Sequence, residues 1–366
     1  MKYFRLSLSI ALFVFLLVAC IFPFYTKARE TYKEALFYQK LDNKIVQCHL
    51  CPRGCVIPDG KRGFCGVREN RGGVLYTQVF GEAVAIHLDP IEKKPLFHFL
   101  PSTQAFSMAT AGCNLKCKFC QNWEISQVKP EEIEYEYLEP ADIVRRAQIS
   151  QAPTIAYTYN EPTIFYEYML ETAQLARQAG LRNIMHSNGY INEEPLRRLS
   201  KFLDAANIDL KGFKEEYYAK LTEGSLAPVL KSLKILREEG VHLEITNLII
   251  SGFNDDEESI SRMCAWIKEN LGADTPLHFS RAFPMYKLLS INPTPLETLE
   301  KARKTAMDAG LKYVYIGNAG GNPAENTYCP KCKKIAIERK GYFIAQDNIE
   351  DGKCKFCGEK ISGVWN

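Results

Sequence analysis

The sequence is poor in histidine and in net charge. Six histidines in 366 residues are too few for a metal enzyme built on imidazole ligands. A formal net charge of +3 provides no field for a polyanion, so nucleic acid is not an expected partner. There is no low-complexity segment, and no internal repeat beyond an alternation of strand-like and helix-like stretches. Apolar residues make up 46% and charged residues 24%, which suits one large globular domain with small appendages.

Cysteine is present in excess, with 13 in the chain. A secreted disulfide protein is one reading, and the spacing opposes it. Cys20 lies in the first apolar run and Cys264 stands alone in a helix-like stretch, while the other cysteines fall into three tight groups. Close C-x2-C spacing suits metal ligation, because two thiolates then reach one ion from a single turn. Cys264 reads as a packed core thiol rather than a nucleophile.

Leu6 to Tyr25 carries no charge and is dominated by Leu, Ile, Phe, Val and Ala. That length can cross a bilayer as a helix. Lys2 and Arg5 precede it, and Lys27, Arg29 and Lys33 follow it, so the flanks leave the orientation open. An uncleaved membrane anchor is the first reading. A cleaved signal is the second, since Leu17-Val18-Ala19-Cys20 resembles a lipoprotein cleavage site. A soluble protein with a misplaced start is the third.

Four segments follow from the pattern: 1–27 as anchor or signal, 28–83 as a linker and a four-cysteine unit, 84–325 as the main domain, and 326–366 as a small metal-binding unit. Ala28 to Lys40 reads as a short charged helix or linker. In the unit from Cys48 to Arg68, Gly54, Gly60, Gly63 and Gly66 signal turns. From Val84 to Asn318 short apolar strands alternate with amphipathic stretches. The strands are expected at Ala105–Ala109, Thr154–Tyr159, Asn183–Ser187, Ala205–Leu210, His242–Ile250, Leu277–Phe279 and Tyr313–Ile316. The helices are expected at Pro140–Ile149, Thr163–Ala179, Glu193–Phe202, Ala227–Glu239, Asp256–Asn270 and Thr294–Ala309. Gly180, Gly240 and Gly310 each follow a helical run, as C-terminal caps should. The pattern implies an α/β fold with a parallel sheet, closed into a partial or full TIM-type (β/α) barrel. Such barrels carry their chemistry at the C-terminal ends of the strands.

The central signal falls directly after the first of these strands: Gly112-Cys113-Asn114-Leu115-Lys116-Cys117-Lys118-Phe119-Cys120. C-x3-C-x2-C places three thiolates in one loop. A structural zinc site takes four ligands, and an ordinary ferredoxin cluster takes four cysteines. No fourth cysteine follows until Cys264. Three ligands leave one iron of a cubane open. This segment resembles the cluster motif of the radical SAM superfamily. The resemblance implies a radical SAM barrel whose [4Fe-4S] cluster is held by Cys113, Cys117 and Cys120. It also implies that the open iron is chelated by the amino and carboxylate groups of S-adenosylmethionine (SAM). One electron from the reduced cluster then cleaves the sulfonium and leaves a 5′-deoxyadenosyl radical. The plain alternative is a chance triplet in a zinc protein.

Further segments resemble the SAM site of that superfamily. Tyr157-Thr158-Tyr159-Asn160-Glu161-Pro162 is similar to its Gly-Gly-Glu-Pro segment, with Tyr159 and Asn160 standing at the two glycines. Glu161 can accept a charge-assisted hydrogen bond from an ammonium; otherwise it is an acid at a helix N-terminus. His186-Ser187-Asn188-Gly189 and Asp209-Leu210-Lys211 end the next two strands and resemble segments of glycyl-radical activating enzymes, whose polar strand ends face SAM and substrate. By the same resemblance Asn160, Glu161, Ser187, Asn188, Asp209, Lys211, His278 and Arg281 are candidate cofactor contacts, with Ser280, Gly317 and Asn318 beside them. Any one of these alone is as readily a satisfied polar cap.

Cys329-x2-Cys332 and Cys354-x2-Cys357 read as a zinc ribbon, with rubredoxin-like iron as the competitor. Cys48-x2-Cys51-x3-Cys55-x9-Cys65 supplies four more thiolates, for structural zinc or for an auxiliary iron–sulfur cluster. Together with Cys117-Lys118-Phe119-Cys120-Gln121-Asn122-Trp123, these features resemble the radical SAM enzyme of the AmmeMemoRadiSam system, a pyruvate formate-lyase activating enzyme homologue. The resemblance implies an oxidoreductase-like enzyme with a low-potential donor of flavodoxin or ferredoxin type. It further implies a protein or small-molecule substrate, a Memo-like partner, and a catalytic domain on the cytoplasmic face of the membrane. Two other functions stay open: a glycyl-radical enzyme activase, and a non-catalytic iron–sulfur electron carrier or metal-sensing protein.

Overall fold

The computed structural model describes residues 32–366. The apolar run at Leu6–Tyr25 and Cys20 lie outside the described residues. Among the described residues no helix is long and apolar enough to cross a membrane. Lys33–Asn366 forms one compact unit.

An eight-stranded sheet is its centre. Its strands are β1 (Ala85–Pro90), β2 (Gln104–Ala109), β3 (Thr154–Tyr157), β4 (Arg182–Ser187), β5 (Ala205–Asp209), β6 (His242–Ile249), β7 (Leu277–Arg281) and β8 (Val314–Gly317). They lie side by side in chain order. From β2 to β8 every pair is parallel, and β1 runs antiparallel along the β2 edge. Among the described residues no ladder joins β8 back to β1, so the barrel is partial. Residues 154–157 of β3 are all buried, as expected of a parallel strand covered on both faces.

The crossovers are α1 (Pro140–Ile149), α2 (Tyr166–Gln178), α3 (Glu193–Ser200), α4 (Glu215–Thr222), α5 (Leu226–Glu238), α6 (Glu257–Leu271) and α7 (Leu296–Asp308). Each turns an apolar stripe inward; α6 buries Ile260, Met263, Cys264, Ile267 and Leu271, which makes Cys264 a core thiol as expected. All seven expected strands and all six expected helices are present, displaced by at most a few residues at their ends. The sequence pattern missed α4 and β1. The α4 helix has only eight residues, anchored by Tyr217, Tyr218 and Leu221. The β1 strand is half exposed at a sheet edge, where burial imposes no clear alternation.

Residues 33–40 are extended, which corrects the helix alternative of the helix-or-linker reading for that stretch. Lys33–Glu34 pairs with Tyr76–Thr77, and Tyr38–Lys40 pairs with Val46–Cys48. The segment is extended because tertiary partners take its backbone. Ala35 N–H donates to the Leu75 carbonyl at 2.8 Å, and Leu36 N–H donates to Glu167 Oε1 at 2.7 Å. At the other end of the chain Thr327–Tyr328, Ile335–Lys340 and Phe343–Asp347 form a three-stranded sheet. Buried Arg339 ties it to the barrel, donating to the Phe97 carbonyl at 2.8 Å with its guanidinium 4.1 Å from the Phe97 ring centre.

Candidate active site

The C-terminal ends of the parallel strands surround a cavity of about 370 Å³. Cys113, Cys117 and Cys120, from the loop after β2, form one wall of it. Among the described residues no other cysteine lines this cavity. Gly112 lets the loop turn sharply, at φ +95°. Asn160 Nδ2 donates to the carbonyls of Thr110 at 2.6 Å and Gly112 at 2.9 Å, which fastens the loop to the end of β3. On the far side Lys116 and Lys118 N–H donate to the carbonyls of Thr222 and Leu221, both at 2.9 Å. The helix that sequence reasoning missed therefore supports the cysteine loop.

Cys113 and Cys117 are buried. Burial pushes the metal-free Cys117 thiol up to about 12, with the Lys211 charge acting in the opposite direction. Cys113 is raised as well, by burial and then by the Glu161 charge. Neutral thiols in such a site lose their protons to a metal. Asn188 Nδ2 lies 3.9 Å from Cys113 Sγ and donates to Asn114 Oδ1 at 2.9 Å. Three thiols on one wall of a cavity, with no fourth beside them among the described residues, fit a cluster that keeps one metal corner open. The geometry therefore suits the [4Fe-4S] group.

The polar residues form two sets, the first buried and the second half-buried. Glu161 accepts from Ser187 Oγ at 2.7 Å, from Thr163 N–H at 2.9 Å and from Asn188 N–H at 2.8 Å. Burial raises its carboxyl above the usual range against those hydrogen bonds. In the second set, Asp209 accepts from His186 Nε2 at 3.1 Å and from Lys211 Nζ at 2.9 Å. Burial alone would raise Asp209, but Lys211 and His186 hold it well below the usual carboxylate range.

The structure brings Asn160, Glu161, Asn188, Asp209, Lys211 and His278 to the cavity wall, with Ser280, Gly317 and Asn318. Ser187 stands behind Glu161 rather than on the wall. His278 reaches the cavity, yet its Nε2 donates to Glu244 at 2.6 Å. Arg281 does not line the cavity; its Nε donates to the Thr294 carbonyl at 2.7 Å. Sequence reasoning missed the residues that hold Tyr159. This residue has φ +68°, a conformation that costs a non-glycine residue roughly 1–2 kcal/mol. Its hydroxyl bonds Asp89, and Lys94 Nζ sits 4.4 Å from its ring centre while donating to Asp89 at 2.6 Å. The strain falls where the superfamily resemblance places glycine. No local pattern marks Asp89 or Lys94 as partners.

The C-terminal thiols gather tightly. Cys329 and Cys357 lie 3.6 Å apart, and Cys332 and Cys354 lie 3.8 Å apart. A tetrahedral ion with metal–sulfur bonds of about 2.3 Å spaces its thiolates by about 3.8 Å, so these four residues fit one metal ion.

A partial (β/α) barrel with three cysteines on the wall of its cavity defines a cluster-binding class. The Radical SAM superfamily model matches residues 108–264. An uncharacterized protein of Methanocaldococcus jannaschii is 49% identical over 334 residues, covering 91% of this chain and 99% of that protein. Pyruvate formate-lyase 1-activating enzyme of Escherichia coli (strain K12) is 20% identical over 219 residues, 56% of this chain and 89% of its own length. GTP 3',8-cyclase of Pelotomaculum thermopropionicum is 22% identical over 250 residues, 63% of this chain and 77% of its own length. The chain carries a radical SAM superfamily domain over residues 108–264. Members of that superfamily are enzymes, and membership implies a [4Fe-4S] cluster and SAM.

Proposed function

We propose that this chain cleaves SAM reductively and abstracts hydrogen from a protein or small-molecule substrate, as the radical SAM enzyme of an AmmeMemoRadiSam-type system. The observation that carries this reading is the placement of Cys113, Cys117 and Cys120 on the wall of a 370 Å³ cavity with, among the described residues, no further cysteine there. The bound cluster and SAM supply a 5′-deoxyadenosyl radical. The protein's own residues hold and orient. Asn160 Oδ1 is buried without a partner and is a free acceptor for an ammonium. Glu161, itself held by Ser187 and Asn188, places a carboxylate beside it. Lys211 brings a positive charge close to Cys117, which favours an anionic thiolate cluster. The rings of Phe97 and Phe119 give the same cavity apolar wall.

In this reading a flavodoxin- or ferredoxin-type donor supplies the electron, and the four C-terminal thiols hold structural zinc. A glycyl-radical activase is the narrower second reading, favoured by the Escherichia coli relative.

The test is anaerobic reconstitution of the full chain, reduction, and assay for 5′-deoxyadenosine from SAM. The nucleoside should form with wild type and vanish with Cys117→Ala. An intact cluster that forms none would leave an electron carrier or metal sensor as the function.

A further inference from the structure

Cys48, Cys51, Cys55 and Cys65 stand apart from the cavity described above. All four line one small chamber, together with Arg53, Arg68 and Asn114. None is in a disulfide.

The three cysteine groups show two different spacings. The C-terminal thiols all lie within 4.8 Å of one another, as one tetrahedral ion requires. Among the described residues no three thiols of the N-terminal group close to that distance, and neither do Cys113, Cys117 and Cys120. A cubane spreads its thiolates over separate metal corners, farther apart than a single ion does. The N-terminal group, like the cluster loop, is therefore more open than the ribbon.

Charge points the same way. Arg68 is 2% exposed. Its Nη2 donates to the Leu36 carbonyl at 2.6 Å and to Glu167 Oε1 at 2.9 Å, while its Nε and Nη1 have no partner. Arg53 Nη2 is likewise buried and unpaired. Arg68 is already ion-paired with Glu167, but the N–H donors left over on both guanidinium groups favour a further acceptor inside the protein. The sulfurs of a thiolate-bound cluster are acceptors.

We propose that Cys48, Cys51, Cys55 and Cys65 hold a second [4Fe-4S] cluster, with every iron bound to a cysteine, directly beside the SAM cluster. The two sites adjoin. A Cβ added at Gly112 would lie 2.9 Å from the Cys65 carbonyl, and Asn114 lines the small chamber one residue after Cys113. With no open corner the second cluster binds no substrate, and its chemistry is one-electron transfer. It takes one electron from a low-potential donor protein and passes that electron on, becoming oxidised as the neighbouring cluster is reduced. The occupancy rests on the four thiols alone; the relay also rests on the proposed function.

The experiment is metal and sulfide analysis with Mössbauer spectroscopy on the full chain, reconstituted anaerobically. Two four-iron clusters give about eight irons per chain. Cys51→Ala and Cys117→Ala should each retain about four, as one remaining cubane. In the reduced protein, adding SAM should change only the electron paramagnetic resonance signal that Cys117→Ala lacks. Zinc at the N-terminal thiols, with about four irons in the wild type, would overturn the assignment. If Cys51→Ala does not fold, the wild-type iron count still decides. A full iron count without 5′-deoxyadenosine would sink the proposed function and leave this inference standing.

Discussion

Arg53 Nε donates to the Asn114 carbonyl at 3.0 Å, so the N-terminal cysteine unit is fastened to the loop that carries Cys113 and Cys117. The guanidinium also stacks 3.7 Å from the Phe64 ring centre. The unit is thereby part of the scaffold of the site.

Arg53→Ala removes that tie and the stack. The loss should be about 1–3 kcal/mol, typical of a charged hydrogen-bond donor and a packed stem. Thermal melts of wild type and variant check it. An unchanged melting temperature would separate the two units.

Gly112→Ala tests the turn before the cluster. The added Cβ would meet Val67 Cγ1 at 2.6 Å and the Cys65 carbonyl at 2.9 Å, at φ +95°. Strain and overpacking together should cost about 2–4 kcal/mol, and iron content should fall because the loop must shift. Full iron loading at wild-type stability would contradict the close packing.

Asp209→Asn keeps the shape and removes the charge between His186 and Lys211. The stranded Lys211 ammonium should lower stability by about 1–3 kcal/mol, less than a fully buried pair because the cavity admits water. Iron content should stay at the wild-type level, since no thiol is touched, while 5′-deoxyadenosine formation slows. Equal melting temperatures and rates would remove Asp209 from the site.

Glu244 is the acid-sensitive point. It is buried and accepts from the His98 N–H at 2.8 Å, the Phe97 N–H at 3.1 Å, His242 Nε2 at 3.1 Å and His278 Nε2 at 2.6 Å. Burial alone would raise its carboxyl, but the two histidine hydrogen bonds hold it well below the usual range. Its folded value is thus lower than the unfolded value of about 4.3. It contributes stability above that pH and loses it as pH falls toward the folded value. Melting temperatures should drop more steeply below about pH 4.3 in wild type than in Glu244→Gln, which starts lower at neutral pH. Parallel curves would show that Glu244 is not held in this way.

The parts legible in advance are those whose physics is local. Cys113, Cys117 and Cys120 must share one loop to share one cluster, so their spacing is visible in the chain. The same holds for Cys329 and Cys332 with Cys354 and Cys357. The seven parallel strands show as apolar runs because both of their faces are covered. The antiparallel strand β1, half exposed at its edge, has no such mark. Nor does the stretch from Lys33 to Lys40, whose extended form depends on Leu75 and Glu167 far along the chain.

By itself, the sequence determined the alternating barrel, the three-cysteine loop and the superfamily it resembles. Tertiary structure alone decided that His278 is tied to Glu244, that Arg281 leaves the cavity, and that Lys94 and Asp89 hold Tyr159 where glycine was expected. It also decided that two of the cysteine groups are spaced more widely than the third. The reason is physical: ligand spacing along a loop is a property of the chain, whereas the distance between thiols and the partner of a buried charge depend on what folding brings against them.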